Sequence, residues 1–425
     1  MESDPTPIII KNALLIDGIN PLPQPHSVIV VEGSLITAVG ELGKISIPQG
    51  KIIDATGYVV QPGLIDAHVH ITISQILGVG PRREAIQHLS ITTLEATKRL
   101  YQLLNAGFTT VLDCGGFEHI DLALRSAIKN RMIIGPRLLC CGKAITTTGG
   151  HADSYFLPPL CYSTPYMWGQ VCDGPDAVRK GVREEIRAGV DWIKLMHAGG
   201  GSLERLAGPP QMTIPEMHAA VEEAHKTGVK VCVHAQGLQS ILDSIQAGVD
   251  SIEHGYEINV DAADQMKAAG ITHKLTSLAK GYQATRSPQV RRDLPEIIIE
   301  KSGQFPYELR KRALLLSLER GVNVVAASDA EGDQNGRING MEPAHWVAAG
   351  VSPMQAIQAM TQKPAQLLDV NAGTVEVGKL ADLLIIAGNP LKDITVLQDS
   401  GRFKVIMKEG IIEFQRKCAY VFANG

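Results

Sequence analysis

Gly63-Leu64-Ile65-Asp66-Ala67-His68-Val69-His70 is an apolar run of strand length that ends on two histidines, and its reading decides the fold. The same device recurs along the chain. Asp191-Trp192-Ile193-Lys194-Leu195-Met196 carries a lysine, whereas Val229-Lys230-Val231-Cys232-Val233-His234 and Ser251-Ile252-Glu253-His254 end on histidines. Val322-Asn323-Val324-Val325-Ala326-Ala327-Ser328-Asp329 ends on an aspartate. Plainer runs at 109–113, 137–141 and 271–276 bring the strand candidates to eight. The segments between them have helical length. Residues 214–225 show helical periodicity, with Pro215 in the first turn and Gly228 closing the element. Eight strands alternating with helices predict an α/β chain whose centre is a closed parallel (β/α)8 TIM barrel. Such barrels keep their chemistry at the C-terminal ends of the strands, where these polar residues fall.

Outside the barrel the texture changes. Residues 7–60 hold short β-branched stretches punctuated by Gly, Asn and Pro, and similar stretches return after residue 372. Neither segment is large enough for a good core alone, so the two are expected to pair. The resulting plan has residues 1–60 as the first part of a small β-sandwich-like domain, 61–370 as the barrel and 371–425 as the second part.

Composition excludes several classes of function. Net charge is −4 and no Lys/Arg run stands out, so nucleic acid is not an expected partner. The acidic, proline-broken start Met1-Glu2-Ser3-Asp4-Pro5 lacks the pattern of a secretion signal, and no apolar run approaches the ~20 residues of a membrane span. The seven cysteines form an odd set without a C-x-x-C spacing, which predicts reduced thiols and a cytoplasmic location. Cys114, Cys140, Cys141 and Cys232 read as small buried apolar residues.

His68-Val69-His70 carries little weight by itself, because 13 histidines in 425 residues supply roughly 0.4 such pairs by chance. Its setting strengthens it, since residues i and i+2 of a strand face the same side and can share one cation. Lys194 is a sharper clue. A lysine inside a buried-strand pattern is costly unless paired or neutralised. Reaction with CO2 would convert its amine into a carbamate able to bridge two cations. His234 and His254 end consecutive strands and Asp329 closes the last one. Together the six side chains make a two-metal hydrolytic site.

With these residues in place the chain resembles the amidohydrolase superfamily over nearly its whole length. Three stretches carry the likeness most specifically: 62–70, Ser251-Ile252-Glu253-His254-Gly255, and Val377-Gly378-Lys379-Leu380-Ala381-Asp382-Leu383. Thr148-Gly149-Gly150-His151 and His234-Ala235-Gln236-Gly237 are similar to the branch of imidazolonepropionase-like proteins, prolidase-like dipeptidases and N-acyl amino acid amidases. The resemblance implies that His68, His70 and Asp329 hold one divalent metal ion and that His234 and His254 hold the other. It also implies that carbamylated Lys194 bridges the two ions beside a hydroxide. The expected metal is zinc, with cobalt or manganese as alternatives. His151 is implied to lie over the substrate carbonyl or carboxylate, with Asp329 moving the proton.

Where dipeptidase-like members of the branch place a tyrosine, this chain has Gln236. Gln236, His151, His197 and Arg205 are the substrate-binding candidates, with His197 open between pocket lining and a structural role. Lys274 lies inside the seventh strand without an assigned role. The aromatic-rich loop 155–168 is open between a substrate wall and simple packing. The expected reaction is hydrolysis of the amide bond of a small N-acyl amino acid or dipeptide-like molecule. Carbamate, thiocarbamate, urea or cyclic-amide hydrolysis is the alternative. A mononuclear deaminase is disfavoured because Gly237 stands where such enzymes carry a glutamate. A non-catalytic scaffold is disfavoured because all six ligands are present. A homo-oligomer is expected, and no membrane partner.

Overall fold

The structure, a computed structural model, describes residues 6–73, 87–153, 168–199, 208–279, 305–416 and 421–422. The two ends of the chain build one sheet. It contains β1 (Ile8–Leu15), β2 (Gln24–Glu32), β3 (Leu35–Glu41), β4 (Lys51–Asp54) and β5 (Val59–Pro62) from the first part of the chain. The barrel strands follow in sequence: β6 (Leu64–His70), β7 (Phe108–Asp113), β8 (Arg137–Cys140), β9 (Ala144–Thr146), β10 (Gly169–Val171), β11 (Trp192–Met196), β12 (Lys230–Ala235), β13 (Ser251–His254), β14 (Thr272–Thr276), β15 (Val324–Ala327) and β16 (Ala330–Glu331). The end sheet is completed by β17 (Leu383–Ile386), β18 (Phe403–Lys408), β19 (Ile411–Gln415) and β20 (Val421–Phe422).

Within the end sheet the order is β19-β18-β17-β5-β1-β2-β3, with β4 and β20 off this path. The expected sandwich-like unit is therefore one connected sheet. Alternation explains why β17 reads as four consecutive apolar residues. Leu383 and Ile385 join Ile10, Leu15, Ile29 and Val405 in one apolar cluster, while Leu384 and Ile386 join the cluster of the barrel. Both faces of that strand are covered, so neither can be polar.

The barrel strands are parallel to their neighbours along β6-β7-β8 and along β9-β11-β12-β13-β14-β15. The two arcs join where the Asp191 N–H donates to the Cys140 carbonyl at 2.8 Å. They close where Asp329 N–H donates to the His68 carbonyl at 2.9 Å and β16 pairs with β6. All eight strands expected from the sequence are present. The short β9, β10 and β16 are additions.

The predicted helix over 214–225 is present as Ile214–His225, opened by a capping box between Thr213 and Glu216. The helix Leu238–Ala247 ends on Gly248 at φ 78°, a left-handed position that turns the chain into the next strand. Ile65, Ala67, Leu112, Cys114, Cys141, Trp192, Cys232 and Val325 fill the barrel interior as one cluster, and Ala365, Leu367 and Leu368 pack against it. The five described cysteines are buried and free, as the odd count predicted. Cys161 and Cys418 lie outside the described residues. No helix among the described residues is long and apolar enough to cross a membrane.

Candidate metal centre

The first strand delivers two imidazoles that nearly touch. His68 Nε2 lies 3.2 Å from His70 Nε2, and Asp329 Oδ1 lies 3.4 Å from the first and 3.5 Å from the second. Three donor atoms on a triangle of this size have a common centre about 2.0 Å from each corner, the length of a Zn–N or Zn–O bond. The other ring nitrogens are held elsewhere. His70 Nδ1 donates to the Gly115 carbonyl at 3.0 Å, and His68 Nδ1 lies 3.3 Å from Glu253 Oε1. The hydrogen bond to Gly115 fixes the tautomer of His70, so that its Nε2 lone pair faces the gap beside Asp329.

A second pair sits beside the first. His254 Nε2 is 2.7 Å from His234 Nδ1, while the outer nitrogens reach Thr276 Oγ1 at 2.5 Å and the Gly199 carbonyl at 3.3 Å. The His68 and His254 rings are 5.6 Å apart, so the two pairs share one mouth. Burial holds His68, His234 and His254 well below the ordinary imidazole pKa, with the charge of Lys194 adding to the effect in each. Neutral imidazoles with aimed lone pairs are what a divalent cation requires. Lys194 is buried as well, and desolvation lowers its pKa. A neutral amine is also the form that reacts with CO2. His68, His70 and Asp329 fit one divalent cation, and His234 and His254 offer two further imidazole donors beside it.

Local backbone geometry explains how consecutive residues reach the same interior. In a regular strand Glu253 and His254 would point to opposite faces. His254 instead has φ 69°, and Asp329 has φ 53°, so both ligands turn inward at the rim. Gly255 follows at φ 58°, and a Cβ there would meet His273 Nε2 at 2.5 Å. The same nitrogen is 2.8 Å from the His254 carbonyl. Gly255→Ala is therefore expected to cost about 1–3 kcal/mol of stability and to weaken metal retention by displacing His254. Urea denaturation of metal-free and metal-loaded protein checks both effects.

Asp329 receives a hydrogen bond from Ser277 Oγ at 3.0 Å. Behind it, Asp66 accepts from the Ser328 N–H at 3.1 Å and from Asn339 Nδ2 at 2.8 Å. Glu342 closes this layer, and its carboxyl is pushed up to about 8 by burial and by the charge of Asp66. A raised folded pKa means that this group's contribution is complete below the unfolded value and is lost as pH climbs through about 8. Glu342→Gln, which stays neutral, is expected to match the parent near pH 5 and to exceed it by more than about 1 kcal/mol near pH 9. Denaturation at both pH values is the measurement.

The ring of His151 stacks at 4.7 Å from that of His234 and 5.5 Å from Trp168, which puts it at the mouth of the site. Gln236 is buried with its Oε1 unpartnered among the described residues. His197 was open between pocket lining and a structural role; its Nδ1 accepts from the Met212 N–H at 3.2 Å and its Nε2 faces Asp243 at 3.3 Å. With both nitrogens engaged, it ties the end of β11 to neighbouring elements. Arg205 and loop residues 155–167 lie outside the described residues. Sequence reasoning missed Glu253, whose carboxylate touches His68, Lys194 and Lys274. A carboxylate directly before His254, inside the strand Ser251–His254, was the available signal.

The chain is similar to known proteins over nearly its whole length. The profile of the amidohydrolase family matches residues 59–412. Ochratoxinase of Aspergillus niger is 27% identical over 433 residues, covering 95% of this chain and 85% of the relative. The structure of a Xaa-Pro dipeptidase with methionine bound in its active site superimposes with a TM-score of 0.86 at 32% identity, over 96% of this chain and 99% of the other. That of a prolidase complexed with N-methylphosphonate-L-proline gives a TM-score of 0.86 at 28% identity, over 97% and 100%.

Proposed function

This chain belongs to the amidohydrolase family and is a hydrolase acting on amide C–N bonds, and from that premise we propose that it cleaves a small N-acyl amino acid or dipeptide-like amide at a binuclear metal centre. The observation that carries the reading is the bond-sized triangle of His68, His70 and Asp329 beside the facing pair His234 and His254. Zinc is the first candidate for both positions, with His68, His70 and Asp329 holding one ion and His234 and His254 the other. Carbamylated, Lys194 would supply a carboxylate to both. Two such ions supply a water-derived nucleophile at neutral pH.

The chain's own residues do the rest. Asp329 accepts the proton of the attacking water and returns it to the departing nitrogen. His151 donates to the carbonyl oxygen as charge builds there. The choice of a leaving group that carries a carboxylate is supported by the relatives. One holds an amino acid, methionine, in its active site, and another binds a phosphonate derivative of proline. Gln236, buried just after β12 with an oxygen that has no partner among the described residues, offers a polar contact for that leaving group.

Metal analysis and a substrate panel test the proposal. Protein reloaded with zinc, cobalt or manganese should hold about two ions per chain. It should hydrolyse N-acyl amino acids or dipeptides faster than carbamates or lactams. Two ions with turnover of carbamates alone would replace the substrate class, and one ion at full activity would sink the binuclear centre.

A further inference from the structure

Beneath the metal centre the barrel interior holds two lysines and one glutamate, all fully buried. Glu253 Oε2 is in ion-pair contact with Lys194 Nζ, and Glu253 Oε1 lies 2.8 Å from Lys274 Nζ. The same Oε1 is 3.3 Å from His68 Nδ1. Lys274 is anchored independently. Its Nζ donates to the Ala67 carbonyl at 3.4 Å and lies 5.4 Å from the centre of the Trp192 ring.

We propose that Lys274 is a positioning residue for the metal centre: it is the standing counter-ion of Glu253, freeing the Lys194 amine for CO2 while Glu253 stays beside His68. The inference rests on the binuclear reading above.

The charge count gives the reason. Carbamylation joins the Lys194 nitrogen lone pair to the carbon of CO2, moves a C=O electron pair onto oxygen and releases one N–H proton to solvent. Lys194 thereby changes from a potential cation to an anion and leaves Glu253. With Lys194 as its only partner, Glu253 would resist that loss, because a buried carboxylate stripped of its cation costs several kcal/mol. With Lys274 in place, Glu253 remains paired before and after the modification. Its oxygen also remains beside His68 Nδ1. Lys274 itself touches no metal and no substrate.

The test uses the full-length protein loaded with zinc in ¹³C-bicarbonate and reads two signals, the carbamate carbon resonance and zinc per chain. Lys274→Met is expected to lose the carbamate resonance and to bind zinc about 10- to 100-fold more weakly. The double variant Lys274→Met/Glu253→Gln removes the anion together with its counter-ion and is expected to regain much of the resonance. A purely structural lysine would give no such recovery. A Lys274→Met protein with the parent's carbamate signal and zinc content overturns the proposal. So does a double variant no better loaded than the single one, whether or not the single one folds. A parent that itself shows neither carbamate nor a second zinc ion brings down the binuclear reading and this inference with it. A fully loaded parent beside an unaffected Lys274→Met brings down the inference alone.

Discussion

Lys194→Ala is expected to lose stable binding of the second ion and to lower kcat by at least about 10³-fold. A bridging ligand helps supply the several kcal/mol of charge stabilisation that such a centre provides, and each 1.36 kcal/mol is a decade in rate. The variant should still fold. Lys194 is buried, but its partner Glu253 keeps Lys274 at 2.8 Å, so truncation leaves no unpaired carboxylate. Truncation also opens space at the bridging position. Acetate or formate added to the zinc-loaded variant should therefore restore part of the activity, because a small carboxylate can occupy the place of the carbamate. Elemental analysis separates loss of metal from loss of chemistry. A Lys194→Ala protein that holds two ions and turns over substrate at the parent rate would remove the bridging role.

How much of this centre was legible in the sequence follows from what strand periodicity encodes. Alternation in β6 places His68 and His70 on one side, and their Nε2 atoms indeed lie 3.2 Å apart. The positions of His234, His254 and Asp329 at strand ends identify one rim, because parallel barrels align their C-terminal ends. Periodicity names a face, however, and not the residue that faces it across the barrel. The contact of Glu253 with Lys194 and Lys274 depends on how β11, β13 and β14 stagger around closure, so a glutamate inside a quoted motif passed as part of a signature.

Backbone exceptions were equally hidden. His254 at φ 69° and Asp329 at φ 53° break alternation, and residue type alone does not announce a left-handed histidine. His197 was left open by the sequence between pocket and scaffold. Its place three residues after Lys194 suggested the pocket, but Asp243 on the helix Leu238–Ala247 and the Met212 N–H claim its ring. The end sheet was foreseen as a union of both termini. Its connection into one sheet runs through β17 pairing with β5, a contact between distant segments that no local pattern reports.

Asp329→Asn is expected to lower kcat by about 10²- to 10⁴-fold in metal-replete protein, with KM changed far less. Asparagine keeps the shape of the side chain and one oxygen at the position that lies 3.4 Å from His68 Nε2 and 3.5 Å from His70 Nε2. With its oxygen there, its Nδ2 takes the place of Asp329 Oδ2, 3.0 Å from Ser277 Oγ, and donates to that hydroxyl instead of accepting from it. What it cannot do is take a proton at neutral pH and return it to a leaving nitrogen. The loss should therefore fall on the chemical step and be largest for substrates with the most basic leaving amines, which need that proton most. An amide with a poor leaving group and an activated ester of the same acyl part make the comparison. The variant should be crippled on the amide and far less affected on the ester, whose leaving oxygen departs without protonation. Equal losses on both substrates would show that Asp329 does not deliver the proton to the leaving nitrogen. A metal-replete variant that cleaves the amide at the parent rate would deny it either role.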